Sequence, residues 1–175
     1  MSFVKRNLPR RAAAILAISL LTAGLAGCFR PLYGSTGGTS VAGELNGIEV
    51  QPINDFLGHE LRNELEFILT GGVAPTVVKY KLVVVPIKTA QGAVVDTLLG
   101  RSESATNALT AQYKLYPANS STELTGGRVI TSTSYDRTQQ RYAGVRAERD
   151  SLQRGAKDLA DQIKTQLAIY FNTKS

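Results

Sequence analysis

One cysteine decides how much of this chain has to fold. Cys28 is the only cysteine in the sequence, and it closes a leader of recognisable build. Lys5, Arg6, Arg10 and Arg11 make a basic stretch with no acid nearby, and Ala12 to Ala26 follow as an apolar run. That run is shorter than the roughly 20 apolar residues of a comfortable membrane span. It fits the hydrophobic segment of a secretory signal. Leu25-Ala26-Gly27-Cys28 ends it: small residues that pass a narrow peptidase site, then a thiol able to carry a diacylglyceryl group as a stable thioether. The expectation is a signal peptide over residues 1–27 and an exported chain that begins at Cys28.

This ending has the form of a bacterial lipobox, and Cys28 is the expected lipidation site, S-diacylglycerol and N-acyl. A lone cysteine elsewhere would read as a buried thiol or half of an intermolecular disulfide. Removing the 27-residue leader from 175 residues leaves 148, enough for one domain with its own core. The leader also takes four cations and no acid, so the net charge falls from +6 to +2. The pI near 9.6 is therefore partly a property of the leader and lends no support to a nucleic-acid partner. No cysteine remains for a disulfide, so packing alone must hold the domain.

Residues 28–47 read as the acylated N-terminus and a flexible tether, because Gly34 to Ser40 is a glycine, serine and threonine stretch with little to bury. Phe29-Arg30-Pro31-Leu32-Tyr33-Gly34 is less bland and suits either the membrane interface or a partner. Residues 48–175 read as the domain. Ile48 to Ile53 is a short strand. Asn54 or Asp55 caps a helix whose Leu57, Leu61, Leu65, Ile68 and Leu69 form one apolar stripe, and Gly71-Gly72 stops it. A strand over Val77–Lys88 places Val78, Tyr80, Leu82 and Val84 on one face. Lys79 and Lys81 lie on the other, which turns apolar at Val83 and Val85. Pro86 in that strand implies an edge or a bulge. Glu103–Tyr116 and Glu123–Tyr135 read as a hairpin about Pro117 to Ser121. A last helix from Val145 to Tyr170 carries Leu152, Ala156, Leu159, Ile163, Leu167 and Tyr170 on one face. The order βαβββα predicts an α+β two-layer sandwich, two helices packed on one face of a four-stranded, mostly antiparallel sheet.

Catalytic constellations are missing. His59 is the only histidine and lies off the apolar stripe, where it reads as a solvated side chain; no second histidine exists for a metal pair. Glu60 with Glu64, and Asp158 with Asp161, read as solvated helix faces. Gly71-Gly72 lacks the Gly-Lys-Ser/Thr of a phosphate loop, and Gly126-Gly127 reads as a bulge or a close backbone approach. No enzyme, metal or cofactor is expected beyond the covalent lipid on Cys28. Basic side chains lie along the strands, with Arg137, Arg141, Arg146 and Arg149 between the last strand and the final helix. They serve either solubility or the capture of a phosphorylated anion.

Three stretches resemble the alphaproteobacterial form of the LptE family of lipopolysaccharide-assembly lipoproteins. They are Leu25–Gly34, which lacks the family's glycine between Cys28 and Phe29; Thr131–Arg137; and the closing helix Arg141–Phe171. The resemblance implies two helices on a four-stranded sheet and a lipid anchor at the outer membrane, periplasmic side. Phe29 agrees, standing where inner-membrane lipoproteins often carry Asp. It implies the β-barrel LptD and lipopolysaccharide as partners, with the domain as barrel plug and assembly chaperone in the lumen. Arg101, Lys114 and Arg128 are candidate lipopolysaccharide contacts. The alternative is an unrelated periplasm-facing lipoprotein acting as a ligand-binding module or hydrolase.

Overall fold

The computed structural model describes residues 35–36, 39–96, 101–137 and 140–174. The leader and Cys28 lie outside the described residues. Ser35–Thr36 (β1) and Thr39–Ser40 (β2) pair as a two-residue ribbon. Val41–Leu45 (α1), Ile48–Val50 (β3), Phe56–Thr70 (α2), Tyr80–Asp96 (β4), Arg101–Pro117 (β5), Thr125–Asp136 (β6) and Arg141–Lys174 (α3) follow. The last four strands form one sheet in the order β3-β4-β5-β6. β3 runs parallel to β4 and the other pairs are antiparallel. The fold is α+β, with helices packed on one face of a mixed sheet.

Local chemistry explains the helix ends. The Asp55 carboxylate accepts the Gly58 N–H at 2.9 Å, and Asp55 holds a positive φ of 72° to do so. At the other end Gly71 takes φ 74°, and the Gly71 and Gly72 N–H groups donate to the carbonyls of Phe67 and Glu66 at 2.9 and 3.1 Å. Only glycine adopts that left-handed close without strain.

The core lies between helices and sheet. α2 contributes Leu57, Leu61, Leu65 and Leu69; α3 contributes Leu152, Leu159, Ile163, Leu167 and Phe171. Leu82 and Val84 of β4, Leu109 and Leu115 of β5 and Val129 of β6 meet them. Each fully buried Leu or Ile stabilises the fold by about 1.5–3 kcal/mol. Phe171, not Tyr170, closes the α3 stripe, and Tyr170 packs edge-on against it at 5.3 Å. A single polar layer interrupts this core. Asn107 donates to the Ser151 hydroxyl at 2.8 Å, and Ser151 donates to the Glu148 carbonyl at 2.8 Å. Thr133 stands directly across from Asn107 in the β5–β6 register.

Several boundaries differ from the sequence reading. Val41 and Leu45, assigned to the tether over 28–47, are buried in the core as the two apolar ends of α1. Glu44 of that helix accepts hydrogen bonds from Lys79 Nζ and Tyr80 Oη, both at 2.7 Å. β4 continues past Lys88 to Asp96, because β5 stays paired with it along the whole length. α3 begins at Arg141 rather than Val145.

Pro86 occupies an edge. The Leu82 carbonyl accepts the Gln51 N–H at 2.9 Å on the β3 side, so alternation turns the Pro86 nitrogen to that side too. β3 has ended by then, and the missing N–H costs no ladder bond. The opposite edge is capped: Gln162 and Arg154 of α3 donate to the Ile130 and Ser134 carbonyls of β6 at 3.3 and 3.1 Å.

Candidate functional site

Because both long helices pack on one face, no described element covers the other face of the sheet. Alternation along each strand fixes what it shows. β4 presents Lys81, Val83, Val85 and Ile87, and β6 presents Arg128, Ile130, Ser132 and Ser134. Between them β5 presents Thr106, Ala108, Thr110, Gln112, Lys114 and Tyr116. Across the three strands the register lines up Ile87, Thr110 and Ile130 in one row and Val85, Gln112 and Arg128 in the next. Val83, Val85 and Ile87 make an apolar strip along β4, and Ile130 stands across Thr110 from it; the four are 37–57% exposed, with no described residue over them.

Cations flank that strip at one end. Lys81 pairs with Tyr116, Lys114 with Val83 and Gly126, and Arg128 with Gln112. Lys81, Lys114 and Arg128 therefore step diagonally across three strands, with neighbouring Cβ atoms about 7 Å apart. Lys114 Nζ lies 2.9 Å from a Glu123 oxygen, and that carboxylate holds the lysine above its ordinary value. Lys81 and Arg128 form no ion pair among the described residues.

Two glycines make this end possible. A Cβ on Gly126 would meet a Glu123 carboxylate oxygen at 2.7 Å and the Tyr113 carbonyl at 2.9 Å. A Cβ on Gly127 would meet the Tyr113 ring at 2.8–3.0 Å. Gly126 makes room for the Lys114–Glu123 pair, and Gly127 lets the buried Tyr113 ring lie flat against β6. Close backbone approach, rather than a bulge, explains the pair.

The structure brings together two of the three expected lipopolysaccharide contacts. Lys114 and Arg128 share the uncovered face. Arg101 opens β5, opposite Asp96, 13 residues before Lys114 and so about 40 Å away along the strand. Its side chain lies outside the described residues, and the three do not form one cluster. Lys81 joins the other two in its place. Ile130 was missed in the sequence because its threonine and serine neighbours hide the alternation.

Catalytic material is sparse here. His59 is exposed on α2, away from this face. Among the described residues no group of His, Cys, Asp and Glu side chains could hold a metal ion. A cleft of about 510 Å³ between β3 and α2 is lined by Glu49, Gln51, Arg62, Glu66 and Thr70. Its one arginine is already paired with Glu66 at 2.8 Å. An apolar strip beside three cations suits an amphiphile: phosphates against the cations, acyl or ring faces against the valines and isoleucines.

The family model described as LptE, lipopolysaccharide-assembly, matches residues 45–167. The chain belongs to the LptE family. The match begins at the last residue of α1 and stops short of the end of α3, so it takes in the whole four-stranded sheet, α2 and most of α3. None of the curated protein sequences matches the chain. Solved structures share the LptE fold seen here. A Caulobacter crescentus protein described as a lipoprotein superposes with a TM-score of 0.63 at 24% identity, covering 74% of this chain and 94% of that one. The rare lipoprotein B of Shewanella oneidensis gives 0.53 at 10% identity, covering 73% and 97%. Lipoprotein B of Nitrosomonas europaea gives 0.52 at 16%, covering 71% and 82%.

Proposed function

We propose that this LptE-family chain is a non-enzymatic outer-membrane lipoprotein, acylated on Cys28, that works with the β-barrel LptD to assemble lipopolysaccharide at the cell surface. The family match over residues 45–167 carries the reading. Physical features support it. The sheet face opposite the helices is mixed: serines, threonines and three cations around a narrow apolar strip. Such a surface suits the polar lumen of a large barrel better than a lipid-facing position. In this role the domain plugs the barrel and assists its assembly. Lys114, Arg128 and Lys81 meet lipopolysaccharide phosphates, while Val83, Val85, Ile87 and Ile130 meet its apolar part. No step in the role calls for a catalytic group.

The anchor follows from the same reading. Each buried methylene of an acyl chain contributes about 0.8 kcal/mol, so several chains on one cysteine hold the protein at the membrane surface. The search for the barrel then runs in two dimensions. The solved lipoproteins of the same fold support an acylated Cys28. The deciding experiment is affinity purification of the tagged, detergent-extracted protein, with mass spectrometry of what accompanies it. A near-stoichiometric large barrel is the expected result. Recovery of the lipoprotein alone, in detergents that preserve other envelope complexes, would overturn the reading in favour of a stand-alone binder.

A further inference from the structure

α3 is longer than the helix it packs on. It has 34 residues, and α2 has 15. The two helices run the same way. At one end the Arg149 guanidinium lies 5.5 Å over the ring of Phe56, the first residue of α2. At the other, Thr70 of α2 shares a cleft with Ile48, which pairs with Tyr80, and Phe171 of α3 packs against Tyr80 at 5.2 Å. α3 starts at Arg141, eight residues and about 12 Å ahead of Arg149, with no α2 alongside.

The inward face of β4 loses its cover at the same place. Leu82 and Val84 are buried there, Pro86 is half-buried, and Lys88 and Ala90 are exposed. A slot therefore follows in line with α2. The start of α3 walls it, β4 floors it and Phe56 closes one end. No described element fills it. The α3 wall keeps the pattern of a packing face: the stripe of Leu152 and Ala156 continues, in three- and four-residue steps, through Arg149, Val145 and Tyr142. Val145 is 45% exposed and Tyr142 78%. Arg141 and Arg146 stand one turn from Val145 and Tyr142, on the same side of the helix. Among the described residues Arg141, Arg146 and Arg149 have no carboxylate partner. The neighbouring acids of the helix are taken, Glu148 by Lys88 at 3.0 Å and Asp150 by Arg154.

We infer that this slot is a docking site for an acidic, amphipathic segment of another polypeptide, laid in line with α2. Two observations choose that occupant. The first is continuity. Helices pack about 8–10 Å apart, so a segment at the distance of α2 from α3 meets Tyr142 and Val145 at its side and Ala90 below. It extends the α2–α3 seam by two turns in the spacing that seam already uses. The second is charge. Three unpaired arginines border the apolar centre of Val145 and Phe56, and each guanidinium fork matches a carboxylate with two N–H bonds. An apolar centre with a charged rim is the layout of a protein interface, and tyrosine and arginine are residues on which such interfaces concentrate their binding energy. The slot lies on the helix side of the sheet, so its use is independent of the Lys81–Lys114–Arg128 diagonal on the other face.

Photo-crosslinking tests the assignment. p-Benzoylphenylalanine replaces Tyr142 or Val145 in the full-length protein, is activated in the intact envelope, and the adduct is sequenced by mass spectrometry. The expected result at both positions is one segment of another protein, with carboxylates interspersed among apolar residues. The same probe at exposed Ile169, 24 residues and about 36 Å along α3, should not capture that segment. Arg146→Glu with Arg149→Glu should cut the adduct about tenfold or more through like-charge repulsion. Arg146→Lys with Arg149→Lys should keep most of it; circular dichroism checks that both pairs fold. Adducts to lipid, to this chain itself or to segments without carboxylates would overturn the proposal. So would the absence of an adduct at both positions, or a yield that the glutamate pair leaves unchanged.

Discussion

Gly155 holds α3 close to the sheet, and a methyl group there tests the packing. The residue is buried mid-helix over β5 and β6. An added Cβ would fall inside the envelope of Leu109 Cδ1, 3.5 Å from Leu109 Cγ and 3.4 Å from Thr133 Cγ2. Two terms compete in Gly155→Ala. Replacing glycine within a helix gains about 0.5–1 kcal/mol. Overpacking a filled core costs about 1–3 kcal/mol, and Leu109 is fully buried. The clash wins, so Gly155→Ala should destabilise by about 1–2 kcal/mol. Leu109→Ala alone should cost about 2–5 kcal/mol through the cavity it leaves. In that background the clash is gone and the new methyl occupies part of the void, so Gly155→Ala should become neutral or stabilising. The coupling between the two changes should be about 2 kcal/mol, within the range for residues in contact. Urea unfolding of the mature protein in mild detergent, followed by far-ultraviolet circular dichroism, measures all four corners of the cycle. Stabilisation by Gly155→Ala alone, or additivity within about 0.5 kcal/mol, would refute the close approach.

Other consequences are testable with the same samples. Hydrogen bonds from Lys79 and Tyr80 lower the Glu44 carboxyl against the opposing effect of burial. Its contribution is present above the ordinary value of 4.5 and lost as pH falls through the lower folded value. Burial, then the Glu44 hydrogen bond, push Tyr80 up to about 12, so its contribution is complete below pH 10 and lost between 10 and about 12. Melting temperatures of the parent and Glu44→Gln should therefore differ most near neutrality and converge in acid; a gap of the same size at pH 3 and pH 7 would count against this latch. Asn107→Asp places a carboxylate in a fully buried layer and should cost about 3 kcal/mol or more at pH 7. Burial raises that carboxyl, so acidification should recover part of the loss. A variant as stable as the parent at pH 7 would show the layer to be wet. Lys114→Ala with Arg128→Ala should weaken lipopolysaccharide binding by about tenfold or more at low salt, whereas Arg101→Ala should leave it unchanged; equal losses from both would mean the sheet face is not the site.

What the sequence disclosed depended on how local the physics was. The leucine stripe of α2, its Asp55 cap and its Gly71 close are set within one or two turns of chain, and all appear where the residues put them. The Val78-Tyr80-Leu82-Val84 alternation gave the inward face of β4 correctly. Long-range pairing was not readable. Nothing near Thr89 to Asp96 announces a strand, because its partner lies in the first residues of β5. Val41 and Leu45 looked like tether beside Gly43 and Gly47, and contacts with distant elements, α3 above all, make them core. The Glu44 carboxylate finds Lys79 and Tyr80 at separations of 35 and 36 residues. The candidate site shows the same division. Lys114 and Arg128 were visible as strand cations, but their shared diagonal with Lys81 is a property of register. Register likewise removes Arg101 from their company.

The two sheet edges explain why the apolar strip can stay uncovered without inviting strand addition. An open β-sheet with exposed valines and isoleucines is ordinarily an aggregation risk, through edge pairing as much as through the face. On the β4 side Pro86 removes the donor that an incoming strand would need. On the β6 side Gln162 and Arg154 already hold carbonyls that such a strand would use. What is left to bind is the face itself, and the face offers side chains, not backbone. Its partner must therefore be chosen by shape, apolar contact and charge along the Lys81–Lys114–Arg128 diagonal. That requirement fits a phosphorylated amphiphile, and it places specificity in residues that substitution can remove without touching the core.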